Sequence, residues 1–251
     1  MKLNLTSNAG DVAKRISELG KQGRFAAATS LTRVAKEDVK PGIRQLMATT
    51  FDRPTAYTLN STVVKIATKA NLESRVWLKD DIWGRGTPAG RYLGPQIFGG
   101  RRQQKGMERL LQAARLMPAG WIAVPSVGAQ LDGNGNVKRS QIVQIMSQLR
   151  MQRGAGYESR ATGSQRSNRT IARQGVTYFA TPALYRGLKP GVYIKRKTGQ
   201  ASTIRPVFLF LSQATYRPIL KFFETGERLA RDRFPVYWDE ELAKAIASAR
   251  L

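Results

Sequence analysis

Apolar residues recur with helical spacing towards both ends of the chain. In the N-terminal part, a stripe of small and apolar side chains that includes Phe25 predicts a helix over 24–35. Pro41 should break or kink the helical pattern, because proline lacks the backbone N–H that a helical turn needs. The C-terminal pattern predicts two further helices, over 217–233 and 239–250. Helical segments are therefore expected on both sides of the central part.

The central part of the chain favours β-strands. Branched and aromatic residues dominate several short runs there, and such residues fit the pleated, half-buried surface of a sheet. The predicted strands span 61–67, 72–79, 121–125, 176–180, 191–197 and 203–211. The run 207–211 is apolar on both faces, which places it at the centre of a covered sheet, and a hairpin turn is expected at 197–200. Short amphipathic helices are predicted over 107–117 and 139–151.

These elements predict an α+β fold in a single domain over residues 1–251, with a mostly antiparallel sheet flanked by N-terminal and C-terminal helices and with long basic loops. Residues 84–102 contain six glycines and two prolines, so the segment 84–106 is expected to be a Gly- and Arg-rich surface loop. The segment 152–175 carries five arginines against one glutamate and has few core-forming residues. It is expected to be a mobile basic arm or loop.

The charge balance narrows the range of partners. The chain has 42 Lys and Arg against 17 Asp and Glu, a formal charge of +25, with 41% hydrophobic residues in its 251 positions. The apolar content is sufficient for a globular core, whereas so large a positive charge opposes compaction unless anions surround it. The expected partners are therefore polyanions, such as nucleic acid or acidic neighbours in an assembly.

A membrane-spanning segment is not expected. The most apolar run, 207–211, has five residues, and a spanning helix needs about 20. The first six residues lack the apolar region and the cleavage site of a secretory signal, so the chain is expected to stay in the cytosol where it is made.

The residue types available for chemistry are few. The chain has neither Cys nor His, which removes thiolate nucleophiles, disulfides, the usual general base and the commonest metal ligand. Residues 132–136 imitate the start of a calcium loop, but Val137 and Val143 stand where Gly and a bidentate Glu are needed, so a turn is expected. Asp80 and Asp81 follow a predicted strand without a spaced third carboxylate. We therefore assign no catalytic residue, metal or cofactor.

Two groups of residues are candidates for contacts with partners. Basic residues in the two Gly- and Arg-rich segments suit phosphate groups or acidic protein surfaces. These candidates are Arg85, Arg91, Arg101, Arg102, Lys105, Arg153, Arg160, Arg166, Arg169 and Arg173. Apolar residues on the terminal helices are candidates for contacts between subunits. They are Phe25, Leu31, Trp238, Leu242 and Ile246.

Both ends of the chain carry patterns that resemble a known family. The N-terminal stretches are AAATSLTRVA at 26–35, FDRPTAYTLN at 51–60 and ATKANL at 67–72. The C-terminal stretches are GVYIK at 191–195 and IRPVFLF at 204–210, followed by Tyr216, Arg217 and the closing helices. This layout is similar to that of tailed-bacteriophage virion proteins of the neck or tail-completion type, in particular the minor tail protein Z group. The segment 84–175 has no counterpart in that group.

The resemblance implies a structural subunit without enzymatic activity, located in the virion. It implies a homo-oligomeric ring at the head-to-tail junction or in the tail, with adaptor, portal or tail subunits as partners and with DNA tolerated or contacted through the basic surface. Two other functions stay open. One is nonspecific nucleic-acid binding outside a virion, and the other is a metal-dependent nuclease built on Asp80 and Asp81.

Overall fold

The computed structural model describes residues 2–4, 20–80, 87–149, 151, 175–212 and 215–248. The fold is α+β with antiparallel sheets flanked by N-terminal and C-terminal helices, which confirms the predicted class. The chain divides into two compact units, Met1–Gly100 with Tyr216–Leu251, and Arg101–Thr215. The prediction of one domain differs from this division, because hydrophobic periodicity identifies apolar residues but not the cluster that each of them joins.

The helices are α1 (Gly20–Arg33), α2 (Lys40–Thr50), α3 (Ala56–Leu59), α4 (Ala89–Phe98), α5 (Gly106–Ala113), α6 (Arg139–Gln148) and α7 (Phe222–Ser248). The strands are β1 (Lys2–Asn4), β2 (Thr62–Lys65), β3 (Arg75–Leu78), β4 (Gly100–Arg101), β5 (Ile122–Pro125), β6 (Val176–Thr181), β7 (Gly191–Thr198), β8 (Ala201–Leu211) and β9 (Thr215–Tyr216). The first unit contains α1 to α4, α7 and the antiparallel sheet of order β1-β3-β2. The second unit contains α5, α6 and the antiparallel sheet of order β5-β8-β7-β6.

The helix that was expected to break near Pro41 continues instead. A π-helical turn, Val34–Val39, joins α1 to α2, and Pro41 lies in the first turn of α2. The backbone N–H of Lys40 donates to the carbonyl oxygen of Ala35, five residues earlier. Proline lacks the N–H that a continuous helix uses at this position, and the wider π-helical turn directly before it accommodates the missing hydrogen bond without ending the helix.

The segment predicted as a loop over 84–106 contains helix α4. Its residues Ala89, Leu93 and Ile97 recur every fourth position and are buried in the core of the first unit. Burial of this stripe outweighs the low helix propensity of the glycines and of Pro95 inside the helix. The loop prediction is therefore wrong for Ala89–Phe98, and residues 84–86 lie outside the described part.

A single helix, α7, replaces the two C-terminal helices that the sequence pattern predicts. It continues through Pro235, whose side chain is exposed, so water can solvate the carbonyl group that loses its intrahelical donor. The stretch of α7 around Pro235 contacts both the π-helical turn and α1. Arg233 pairs with Asp38 at 2.9 Å, and the hydroxyl of Ser30 donates to the carbonyl oxygen of Tyr237 at 3.0 Å.

The sheet of the second unit has β8 and β7 at its centre, as the apolar run 207–211 predicts. Val207, Phe208 and Phe210 are buried and pack with Ile145 and Met146 of α6. The turn between β7 and β8 is Gly199-Gln200, since Thr198 and Ala201 are paired. Gly199 has φ of +62°, a conformation that glycine adopts without steric cost in a two-residue hairpin turn. The predicted hairpin is confirmed.

The close approach of β7 and β8 gives a stability prediction. A Cβ atom at Gly191 would overlap the backbone oxygen of Phe208, which cannot rotate away. We expect Gly191→Ala to lower the free energy of unfolding by about 1–3 kcal/mol, measured by urea denaturation. The control is Gly133→Ala, because no atom lies within 4 Å of a Cβ placed there. Equal stability of the two variants would contradict the prediction.

Candidate polyanion-binding surface

The positive charge of the chain is unevenly divided between the two units. The second unit, Arg101–Thr215, has 19 Lys and Arg against 3 Asp and Glu, a formal charge of +16 in 115 residues. The first unit has 23 against 14, a formal charge of +9 in 136 residues. The second unit is thus the more cationic part, and it is where a polyanion is attracted most strongly.

Arg102, a predicted contact residue, forms an ion pair within the protein. Its guanidinium pairs with both carboxylate oxygens of Glu108, with Nη1 at 2.9 Å from Oε2, and the side chain of Arg102 is only 13% exposed. Glu108 is fully buried and also accepts the backbone N–H groups of Lys105, at 2.6 Å, and Ala123, at 2.8 Å. The charge of Arg102 neutralises the buried carboxylate that ties the start of α5 to β5, and a contact between Arg102 and a partner stays a prediction.

The ionisation of Glu108 follows from these contacts. Burial opposes the charged form, but the hydrogen bonds from Arg102 and from the N–H groups of Ala123 and Lys105 outweigh burial, and the pKa of Glu108 is lowered. Glu108 is also the third residue of α5, where a carboxylate can accept the N–H of the residue that precedes the helix. The ion pair is therefore part of the folded framework of the second unit.

The other predicted contact residues do not form one cluster in the described structure. Arg91 is exposed on α4 in the first unit, whereas Arg101 on β4 and Lys105 before α5 are exposed in the second. The remaining candidates lie outside the described residues. They are Arg85, Arg153, Arg160, Arg166, Arg169 and Arg173.

A basic cluster that the sequence reasoning missed lies at the end of the central hairpin. We call residues 195–205 the basic hairpin. It carries Lys195, Arg196, Lys197 and Arg205, and every residue in it is exposed. The triplet of cations at 195–197 was visible in the sequence, but only as the end of a predicted strand. Whether these three side chains are exposed depends on how far the neighbouring strands extend.

The strand register sets the directions of the four cations. Arg205 pairs with Ile194, so it lies on the same face of the sheet as Arg196. Lys195 and Lys197 lie on the opposite face, about 6.6 Å apart along the strand. No side chain of the four forms an ion pair or hydrogen bond with any residue that the structure describes. The chain also has no acidic residue between Glu158 and Glu224.

The apolar residues predicted to contact other subunits are partly exposed. On α7 the buried stripe is Tyr237, Glu241 and Ala245. Trp238 and Leu242 lie beside this stripe and are half-buried, while Ile246 is 52% exposed. The buried stripe is one position away from the predicted one, and its residue Glu241 pairs with Arg33 of α1 at 2.7 Å.

On α1, the two candidates for subunit contacts are also incompletely covered. Phe25 is 46% exposed, with the ammonium group of Lys69 at 5.0 Å from its ring centre. Leu31 is half-buried. The role of these residues in subunit contacts stays a prediction.

The acidic motifs have local structural roles. The carboxylate of Asp80 accepts the backbone N–H of Gly90, at 2.7 Å, in the first turn of α4, and Asp81 lies outside the described residues. The carboxylate of Asp132 accepts the N–H groups of Asn134 and Asn136, both at 2.9 Å, which confirms the predicted turn. Within the described ranges, no three acidic side chains are grouped as metal ligands would be.

Comparison with family models, with curated proteins and with solved structures found no match for the chain. Among the helices of the described part, none is both long and apolar enough to cross a bilayer.

The buried ion pair gives a second stability prediction. We expect Arg102→Ala to lower the free energy of unfolding by about 3–5 kcal/mol, because it leaves the carboxylate of Glu108 buried without its counter-charge. Arg101→Ala is the matched control, since Arg101 is exposed, and it should change stability by less than about 0.5 kcal/mol. Thermal and urea unfolding would measure both. Similar losses in the two variants would show that Arg102 has no special role in the fold.

The lowered pKa of Glu108 predicts how this stabilisation depends on pH. Because the pKa of Glu108 is lower in the folded than in the unfolded chain, the stabilisation is complete above the ordinary carboxyl pKa of about 4.3. It is lost as the pH falls through the folded value. The difference in unfolding free energy between wild type and Glu108→Gln should therefore be constant near neutral pH and shrink below about pH 4.3. A difference that persists unchanged in acid would refute the assignment.

Proposed function

We propose that the protein is a structural, non-enzymatic subunit of a tailed-bacteriophage virion that forms an oligomeric ring at the head-to-tail junction or in the tail. The resemblance of both ends of the chain to the neck and tail-completion group supports this role. The cationic second unit would then face DNA or acidic neighbouring subunits, and its charge would be matched within the particle.

The charge of the second unit is the observation that carries this proposal. Its formal charge is +16, and one of its three acids, Glu108, is already neutralised by Arg102. Cations at this density repel one another and attract counter-charges strongly. Assembly beside a polyanion relieves that repulsion, and repetition of the unit around a ring multiplies the attraction.

The terminal helices supply surfaces for assembly. Half-buried and exposed apolar side chains on α7, from Trp238 to Ile246, leave apolar area that a neighbouring subunit would cover. A ring repeats the same contact at each subunit, so even a modest patch contributes several times to the assembled particle.

A nucleic-acid-binding protein outside a virion is the second candidate. The observation that favours it is the basic hairpin, whose four cations have no counter-charge in the described residues. Salt separates the two functions. Binding that depends only on phosphate contacts weakens steeply with salt, whereas ring contacts that bury apolar area persist at moderate salt.

Purified particles test the virion proposal. We expect nuclease-treated particles from infected cells to contain the protein at a fixed copy number relative to the major structural subunits, measured by quantitative mass spectrometry. A non-structural protein encoded beside it serves as the control and should be lost during purification. Absence of the protein from such particles, or its removal by the nuclease, would reject the structural role.

A further inference from the structure

We propose that the basic hairpin, residues 195–205, is a binding site for the phosphate backbone of double-stranded DNA. The inference deepens the proposed function, because it identifies the surface and the partner through which the cationic second unit acts. It depends on the exposure, spacing and composition of the hairpin.

The hairpin extends past its neighbouring strands. Pairing between β6 and β7 reaches Arg196, and pairing between β5 and β8 covers only residues 208–211. The N–H of Lys197 still donates to the carbonyl oxygen of Gly175, so in the described part β7 and β8 continue alone only from Thr198 to Ala201, as a two-stranded tip in which every residue is exposed. A two-stranded tip of this kind fits within the major groove of B-DNA, which is about 12 Å wide.

Cations are present on both faces of the sheet directly behind this tip. Lys195 and Lys197 lie on one face, and Arg196 and Arg205 lie on the other. When the tip points into a groove, the two faces behind it are directed towards the two sugar-phosphate strands that border the groove. Cations on both faces therefore allow both strands of a duplex to be contacted at once.

The remaining polar residues of the hairpin also suit phosphate groups. Thr198, Ser202 and Thr203 are exposed, and their hydroxyl groups can donate to phosphate oxygens. Hydroxyl groups beside Lys and Arg are the usual composition of a surface that contacts the DNA backbone without reading its sequence.

The same composition disfavours the other partners that a basic surface could have. The cores of protein interfaces are enriched in aromatic residues and depleted in Lys, whereas residues 195–205 contain two lysines and no aromatic residue. Single-stranded nucleic acid is bound on aromatic side chains that stack with its bases, and these are missing here too. Duplex phosphate is the partner that the hairpin fits best.

The fold itself does not explain these four cations. Like charges two residues apart on one face repel each other, and no residue in the described part offers a counter-charge to their side chains. Two other exposed hairpin-like turns of the second unit differ from it: the turn at 132–136 carries an acid and no cation, and the turn closed by Tyr185 and Leu188 carries Arg186, whose guanidinium lies over the ring of Tyr185. Of these three described turns, the basic hairpin carries the largest group of cations.

Salt-dependent DNA binding by the full-length protein tests the proposal. The probe is a fluorescently labelled DNA duplex of random sequence, and its anisotropy reports binding at several salt concentrations. In the test variant, Lys195, Arg196, Lys197 and Arg205 are all replaced by Gln. Each lost phosphate contact should reduce the slope of log K against log salt by about 0.9, so the slope should fall by about 3 to 4. Affinity at about 0.1 M salt should fall by at least about tenfold.

A matched control separates the site from net charge. It replaces four exposed cations of the first unit by Gln, at Lys36, Lys40, Arg217 and Lys221. This variant loses the same charge and should keep a slope within about one unit of wild type. A third variant, with Lys195→Arg and Lys197→Arg, retains the charge and should retain binding. Unchanged thermal unfolding of all three variants would show that the fold is intact.

Several results would overturn the proposal. Equal losses in the hairpin and control variants would mean that net charge, not this site, attracts DNA. Unaltered DNA binding combined with failure of the hairpin variant to enter particles would identify the hairpin as a contact with acidic protein. Lack of duplex binding by the wild type would reject the DNA site while leaving the virion role intact, since that role is judged separately by copy number in particles.

Discussion

The repulsion among the many cations of the second unit is the physical constraint on which the proposed function of this protein depends. The unit has 19 basic and 3 acidic residues, and one of those acids, Glu108, forms a buried ion pair with Arg102. Its sheet and helices bury enough apolar surface to hold it together, with Val207, Phe208 and Phe210 at the centre. The charge left on the surface favours polyanionic surroundings, whether DNA or acidic subunits supply them.

Arginines that look equivalent in the sequence have opposite roles in the structure. Arg102 lies against the buried carboxylate of Glu108 and stabilises the junction between α5 and β5, whereas Arg196 and Arg205 stand in solvent at the end of the central hairpin. A buried cation contributes by neutralising a charge that would be costly alone, and an exposed cation remains available to a partner. The two roles differ because of burial and because of where an acidic side chain lies. A count of basic residues shows neither.

The helices show where local propensity and tertiary packing disagree. Glycine and proline in 84–102 predict a loop, yet Leu93 and Ile97 form a helix there because their burial in the first core stabilises it. Pro41 and Pro235 are residues that usually interrupt a helix. A π-helical turn precedes Pro41, the side chain of Pro235 is exposed to solvent, and the helix continues at both positions. On α7 the buried stripe, which includes Glu241 paired with Arg33, lies one position away from the stripe that the sequence pattern predicts.

The sequence by itself determined the α+β class, the positions of β2, β3 and β5 to β8, the hairpin turn at Gly199 and the positive charge, because strand propensity, glycine at a turn and formal charge are properties of local residue types. Only the tertiary structure decided the division into two units, the continuity of α7, and which cations are buried and which face solvent. Those features depend on distances between residues far apart in the chain and on how far each strand is paired. Arg196 and Arg205 were therefore identifiable as basic residues from the sequence, but as neighbours on one face of the basic hairpin only from the fold.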